Sequence, residues 1–126
     1  DIKRGRIVTD AIGDLDIGQC CVVCRGQVLA VEGPEGTDEM LKRVAKLSQA
    51  MRGSVTKREG VLVKLPKRNQ DRRIDMPTLG LTTIENASFA GLAGIAFAGE
   101  ETQLIDADAC IKRADELGMF LKGLKP

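Results

Sequence analysis

The sequence contains no histidine, no tryptophan and no tyrosine, and its only aromatic residues are three phenylalanines. Without histidine, the chain excludes any mechanism in which it must itself supply an imidazole as base or ligand. With so few aromatic rings, base stacking on RNA or single-stranded DNA has little support, so nucleic acid is not expected as a partner.

Long apolar runs and a disulfide framework are also missing. No run approaches the roughly 20 apolar residues of a transmembrane helix, so we expect no membrane span. Cys20, Cys21, Cys24 and Cys110 are too few and too clustered for a set of disulfides, which favours a reducing, cytosolic setting. Cys21-x-x-Cys24 lacks the second ligand pair of a zinc site, and we expect all four cysteines to be packed in the core.

At 126 residues the chain is long enough to fold as one domain around its own core. It has no internal repeat, low-complexity segment or linker, so a single domain over residues 1–126 is predicted. Because it begins with Asp1 rather than methionine, and residues 1–8 lack the apolar core of a secretory signal, we expect it to be a fragment of a longer protein.

Strand and helix patterns alternate along the chain. Strand patterns cover residues 21–24, 26–32, 60–66, 93–99, 102–106 and 119–124. Helical spacing of apolar residues predicts three helices, over 38–51, from Thr82 or Thr83 to Gly91, and from Asp106 to Gly118. This alternation predicts an α/β domain with a mixed sheet and about three helices packed on it.

A glycine-rich loop, residues 33–36, leads into the first predicted helix, with Thr37 as N-cap and Asp38 and Glu39 in the first turn. Free N–H groups at a helix N-terminus attract anions such as phosphate. Asp38 and Glu39 would repel a phosphate unless a divalent cation lay between them. The loop also lacks the Lys-Ser or Lys-Thr ending of a P-loop, so spacing alone favours ordinary helix capping.

Residues 70–80, QDRRIDMPTLG, concentrate charge around one proline. Because Pro77 disfavours a helix before it, the segment is predicted to be extended. One face then carries Asp71, Arg73 and Asp75. The two carboxylates would be roughly 13 Å apart and should have different roles. With Lys64 nearby, this face has the residue types of a phosphoryl-transfer site, although charge alone favours a solvated loop.

The charged segment is the end of a longer basic stretch. Residues 57–73 contain seven basic residues against two acidic ones, in a chain whose net charge is +1. RNA binding through Lys67, Arg68, Arg72 and Arg73 is therefore an alternative, and it would show a steep salt dependence.

Two ordered motifs carry a resemblance to a known family. They are E-x-x-x-G-T-D-E at residues 32–39 and Q-D-x-R-x-D-x-P-T-x-G at residues 70–80. From about Asp16 onward, the chain closely resembles the C-terminal catalytic domain of the LpxI-type UDP-2,3-diacylglucosamine pyrophosphatases of lipid A biosynthesis in Gram-negative bacteria. The resemblance implies hydrolysis of the pyrophosphate bond of UDP-2,3-diacylglucosamine to UMP and lipid X, with Mg²⁺ or Mn²⁺ as the divalent metal.

The resemblance also implies a setting for the chain. Family members usually carry an N-terminal domain of comparable size and bind substrate between the two domains. The isolated C-terminal domain is therefore expected to need the absent half for full activity. A cytoplasmic enzyme at the inner face of the inner membrane is implied, with peripheral contact to lipid, and homodimer formation stays open.

Carried over onto this sequence, the motifs give a candidate site. The catalytic residues would be Asp71 and Asp75, and the metal ligands would be Asp38, Asp71 and Asp75. Substrate would be bound by Glu32, Thr37, Lys64, Gln70, Arg73, Thr78 and Gly80. One of the two catalytic aspartates would bind the metal that activates water and the other would position that water or support the metal. Which of them is indispensable stays open, as does a non-catalytic module that binds nucleotide-sugars or other anions.

Overall fold

The structure is a computed structural model that describes residues 1–68 and 76–126. Those ranges contain four helices and seven strands. In chain order they are α1 (Ile2–Asp14), β1 (Cys20–Cys24), β2 (Gln27–Val31), α2 (Thr37–Ala45), β3 (Val61–Lys64), β4 (Thr78–Leu79), α3 (Leu81–Phe89), β5 (Gly94–Ala98), β6 (Gln103–Leu104), α4 (Ala107–Leu117) and β7 (Phe120–Leu124). The predicted α/β class is confirmed, with one helix more than expected.

Five strands form the main sheet in the order β2-β1-β3-β5-β7. β1 is antiparallel to both of its neighbours, whereas β3, β5 and β7 are parallel to one another. β2, β3, β5 and β7 therefore run in one direction and finish at the same end, which we call the carboxyl end of the sheet. The opposite end is called the amino end. In open α/β sheets, ligands bind outside the carboxyl ends of the strands.

The sheet is covered on both faces. Cys20 and Val22 of β1 pack in the cluster that includes α2, α3 and α4, whereas Cys21 and Val23 pack in the cluster on the α1 side. A strand buried on both faces reads as a continuous apolar run, which explains the sequence CCVVC. All four cysteines are free and buried, so their predicted packing in the core is confirmed.

The first helix, α1, lies very close to the sheet. A Cβ added at Gly5 would lie 2.4 Å from Val63 Cγ2, so only glycine permits this approach. One turn later the buried Thr9 hydroxyl lies 3.3 Å from Cys21 Sγ and 3.4 Å from the Val63 carbonyl. The inward residues of α1 are Gly5, Thr9 and Ile12. No helix was predicted here because two of these three are not apolar.

Several predicted boundaries are wrong. Gly36, not Thr37, is the N-cap of α2, and the helix ends at Ala45 rather than at residue 51. Gly80, not Thr82 or Thr83, is the N-cap of α3. α4 behaves as predicted, with Asp106 before it and a left-handed Gly118 (φ 72°) after it. The strand predicted at 102–106 is short and pairs with β4 outside the main sheet.

Two arginines cap the C-termini of α2, α3 and α4 at the amino end of the sheet. Arg52 donates a 2.9 Å hydrogen bond to the carbonyl of Ala45, the last residue of α2. Arg58 donates to the Leu117 carbonyl of α4 at 2.9 Å and to the Ser88 carbonyl of α3 at 3.1 Å. Burial lowers the pKa of Arg58 from its ordinary value. The guanidinium groups supply donors to carbonyls that have no partner within their own helix.

None of the helices in residues 1–68 and 76–126 combines the length and the apolar character that a membrane crossing requires.

Candidate functional site

An open pocket of about 720 Å³ lies at the carboxyl end of the sheet. Its lining contains every candidate site residue in the described ranges, namely Glu32, Thr37, Asp38, Lys64, Thr78 and Gly80. The other candidates, Gln70, Asp71, Arg73 and Asp75, lie outside the described residues. The two motifs are far apart along the chain, yet their described parts line one pocket.

The candidate residues that line the pocket are positioned by the ends of β-strands. Glu32 directly follows β2, and Lys64 is the last residue of β3, so both lie at the carboxyl end. Thr78 is set by the parallel pairing of β4 with β6, in which it lies opposite Gln103. The 2.9 Å hydrogen bond from the Ile105 N–H to the Leu79 carbonyl extends that pairing toward the start of α4.

Three helices begin at the pocket. Gly36 before α2, Gly80 before α3 and Asp106 before α4 all line it. Within the part of the chain that the structure describes, none of the three starts has a side-chain capping hydrogen bond. The first-turn N–H groups have no partner inside their helices, and the helix dipole adds positive potential there. The pocket is therefore suited to an anion.

Lys64 is held in a line of hydrogen bonds across the pocket floor. Its Nζ donates to the Thr37 hydroxyl at 3.1 Å and to the Thr78 carbonyl at 3.0 Å. The buried Thr37 hydroxyl in turn donates to Glu32 Oε2 at 2.8 Å. Glu32 Oε1 accepts the Gln19 N–H at 2.8 Å. These bonds join the ends of β2 and β3 to the start of α2 and fix the ammonium group in place.

Cys20 lies beneath this line. Its Sγ is 3.5 Å from Glu32 Oε2 and 3.4 Å from Thr37 Oγ1, and the residue is fully buried. Burial first, and the negative charge of Glu32 second, raise the pKa of the Cys20 thiol far above its ordinary value. A raised pKa favours the protonated thiol, which can donate to Glu32, and its burial favours a structural role over a nucleophilic one.

Asp38 lies in the first turn of α2 and contacts α3. Its Oδ1 accepts the Thr83 hydroxyl at 3.0 Å and the Asn86 side-chain amide at 3.2 Å. No cation of the described residues forms an ion pair with it. Within the described residues, Asp38 is thus held at the pocket wall by neutral donors.

Within the described residues, the basic side chains of residues 57–68 lie in different parts of the fold, while Arg72 and Arg73 of the possible RNA surface lie outside the described residues. Arg58 caps two helices at the amino end, while Lys64 lies in the pocket at the carboxyl end. Lys67 and Arg68 are paired with carboxylates that follow or end α1. Their partners are Asp16 for Lys67, at 2.5 Å, and Asp14 for Arg68. The described basic side chains therefore serve separate purposes.

The described donors fit a divalent cation only in combination with other ligands. In residues 1–68 and 76–126, no group of three or more cysteine, aspartate or glutamate side chains converges. Both oxygens of Glu32 already accept hydrogen bonds, whereas Asp38 Oδ2 receives no donor from the described residues. Mg²⁺ commonly takes one or two carboxylates and completes its shell with phosphate oxygens and water. Asp38 fits such a role beside a bound phosphate.

Sequence reasoning missed Gln19, Cys20, Thr83 and Asn86. Thr83 and Asn86 reach Asp38 across 45 and 48 positions of the chain, and no local pattern indicates such a contact. Their spacing of three residues on one helix was the only available signal, since it places both side chains on the same face.

Comparisons with known proteins agree with the motifs. The family model for the LpxI C-terminal domain matches residues 1–122. The chain is 51% identical, over all of its 126 residues, to the UDP-2,3-diacylglucosamine pyrophosphatase LpxI of Caulobacter vibrioides, and it spans 45% of the length of that protein. The resemblance predicted from the motifs is confirmed. The chain belongs to the LpxI C-terminal domain family.

Proposed function

We propose that this chain is the catalytic domain of an enzyme that hydrolyses the pyrophosphate bond of UDP-2,3-diacylglucosamine to UMP and lipid X in lipid A biosynthesis. The observation that carries the proposal is the pocket at the carboxyl end. There, Lys64, three helix starts without side-chain caps and two carboxylates meet, in a chain 51% identical to an enzyme of that name. A pyrophosphate with a hydrolysable bond fits this combination of charges.

Lys64 would bind the pyrophosphate and stabilise the charge that its oxygens gain as the bond breaks. An ammonium group has three donors, and the Thr37 and Thr78 bonds use two of them. The third donor is then available to a phosphate oxygen. Because Thr37 is itself held by Glu32, the ammonium need not reorganise during the reaction, which is the condition for effective electrostatic stabilisation.

The helix starts would complete the cradle for the phosphates. The first-turn N–H groups of α2 and α3 both lie at the pocket, beside Gly36 and Gly80. Glycine at both N-caps removes the side chain that would otherwise cover these groups. Arg73 and Gln70 would add donors from the segment outside the described residues.

Water would attack one phosphorus atom while the bond from that phosphorus to the bridging oxygen breaks, so that each product keeps one phosphate. We assign the positioning of this water to one of Asp71 and Asp75. A bound Mg²⁺ or Mn²⁺, held by Asp38 with those two aspartates, would neutralise charge on the phosphate oxygens.

The mouth of the pocket fits an acylated substrate. Leu81 and Ile105 both line it, and they are 41% and 53% exposed. Exposed apolar side chains beside an anion site match a ligand that joins phosphate to hydrocarbon. We propose that the enzyme is cytoplasmic and meets its substrate at the inner face of the inner membrane. An N-terminal domain, consistent with the greater length of the Caulobacter relative, would complete the site.

The test uses the full-length protein, UDP-2,3-diacylglucosamine and Mg²⁺ or Mn²⁺, with UMP release as the readout. The wild type should release UMP, and Lys64→Met should lower kcat/KM by about 100-fold or more because a preorganised charge on the pyrophosphate is lost. Lys112→Met, on the exposed face of α4, is the matched control and should leave the rate unchanged. If calorimetry shows substrate binding but the wild type releases no UMP, the chain is a non-catalytic binding module instead.

A further inference from the structure

Among the described residues, carboxylates differ in whether a charged or a neutral donor holds them. Outside the pocket, Asp16, Glu35, Glu59 and Glu85 each pair with a lysine or arginine. Asp38 instead accepts hydrogen bonds from a hydroxyl and an amide, which carry no net charge. Neutral donors fix the position of a carboxylate without cancelling its negative charge, so Asp38 remains able to attract a cation.

The two donors also share one oxygen. Thr83 Oγ1 and Asn86 Nδ2 both reach Asp38 Oδ1, at 3.0 and 3.2 Å, and together they fill the acceptor sites of that atom. No donor from residues 1–68 or 76–126 reaches Oδ2, so among these residues it is the oxygen open to the pocket that Asp38 lines. Thr83 is 7% exposed, so its hydroxyl is a built part of the wall between α2 and α3 rather than a surface group.

We propose that Thr83 and Asn86 are positioning residues that turn Asp38 so that Oδ2 is presented to a divalent cation bound in the pocket. The inference rests on the proposed function, in which a cation accompanies the pyrophosphate. Hydrogen-bond partners of a metal-binding carboxylate hold it in the orientation that the ion requires, and their loss typically weakens metal affinity 10- to 100-fold. Thr83 lines the pocket beside Asp38, whereas Asn86 reaches Asp38 from α3, and both would act through that carboxylate.

The test measures Mn²⁺ binding to the full-length protein by electron paramagnetic resonance titration, together with the Mn²⁺ concentration that gives half-maximal UMP release. Thr83→Val and Asn86→Leu should each raise the Mn²⁺ Kd about tenfold, and Asp38→Asn should raise it at least as much. Thr83→Ser keeps the hydroxyl and should restore wild-type affinity. Thr56→Val, in an exposed loop at the amino end, is the matched control for loss of a threonine hydroxyl.

The outcomes separate this inference from the proposed function. If Thr83→Val and Asn86→Leu lower Tm but leave the Mn²⁺ Kd unchanged, the two residues only join α2 to α3 and the inference is wrong. A wild-type protein that binds no Mn²⁺ also overturns it. If the wild type binds Mn²⁺ with the expected variant series but releases no UMP, the inference stands and the hydrolase proposal fails. Should Thr83→Val fail to fold, Asn86→Leu decides the question.

Discussion

The two ends of the sheet differ in whether side chains cap the ends of helices α2, α3 and α4. At the amino end, Arg52 and Arg58 close the C-termini of α2, α3 and α4 with side-chain donors. At the carboxyl end, no side chain of the described residues caps the N-termini of those helices. Both ends of a helix have the same number of unpaired backbone groups, so the difference is not imposed by helix geometry.

We propose that this difference separates an end that serves stability from an end that serves binding. Capping groups at a helix end contribute to stability, and a site whose N–H groups must reach a ligand has to leave them uncovered. The amino end therefore resembles the interior of a folded domain, whereas the carboxyl end leaves its N–H groups free for an anion. Substitutions at the two ends should accordingly separate loss of activity from loss of stability.

The largest effect is expected from the two aspartates that lie outside the described residues. Asp71→Ala and Asp75→Ala in the full-length protein should each preserve folding, and at least one should lower the rate of UMP release by about 1,000-fold or more. The rate of each variant, measured with Mg²⁺ and with Mn²⁺, would show which aspartate is indispensable. If both variants kept near-normal turnover, the catalytic assignment would be wrong.

The opposite pattern is expected at the amino end. Arg58→Ala should lower the free energy of unfolding by about 2–3 kcal/mol, because carbonyls of α3 and α4 lose a charged donor that is partly buried. Below the unfolding transition, kcat/KM should stay close to wild type. Urea denaturation and UMP release give the two readouts, and Lys57→Ala, at the exposed neighbouring residue, is the control.

An Arg58→Ala protein of unchanged stability would show that water replaces the guanidinium at little cost. An Arg58→Ala protein of wild-type stability and poor activity would contradict the division between the two ends.

The same division explains how much could be predicted from the sequence. The short apolar runs of β1, β3 and β5 and the stop signal at Gly118 are local, and each was found in about the right place. Those candidate residues of the two motifs that the structure describes line one pocket because strand ends and helix starts meet at the carboxyl end. Their catalytic and binding roles stay predictions.

What sequence reasoning missed depends on contacts between distant segments. α1 has no clear apolar period because contacts with the sheet set two of its inward residues. Only glycine fits at position 5 against Val63, and the Thr9 hydroxyl contacts Cys21 Sγ and the Val63 carbonyl. The helix predicted over residues 38–51 ends early at Ala45, where Arg52 folds back onto its last carbonyl. Gly36 and Gly80 were not predicted as N-caps, because Ser, Thr and Asp are the stronger capping signals.

The smallest effect is expected from adding a side-chain cap to the N-terminus of α3. This change also tests the comparison between the two ends of the sheet most directly. Gly80 has an extended backbone (φ −139°), and a Cβ there would approach nothing closer than 4.0 Å, so serine fits without strain. Gly80→Ser should raise the free energy of unfolding by about 0.5 kcal/mol, through a new cap and a less flexible unfolded chain. It should also lower kcat/KM several-fold, since the serine oxygen would occupy an N–H group that the phosphates need.

Gly13→Ala, inside α1, is the control: it meets only ordinary contacts and should raise stability by a similar or larger amount with no change in kcat/KM. Equal activities in the two variants would mean that the start of α3 does not bind substrate. A loss of kcat/KM confined to Gly80→Ser would show that α3 lacks a side-chain cap so that its N–H groups can bind the ligand, at the expense of stability.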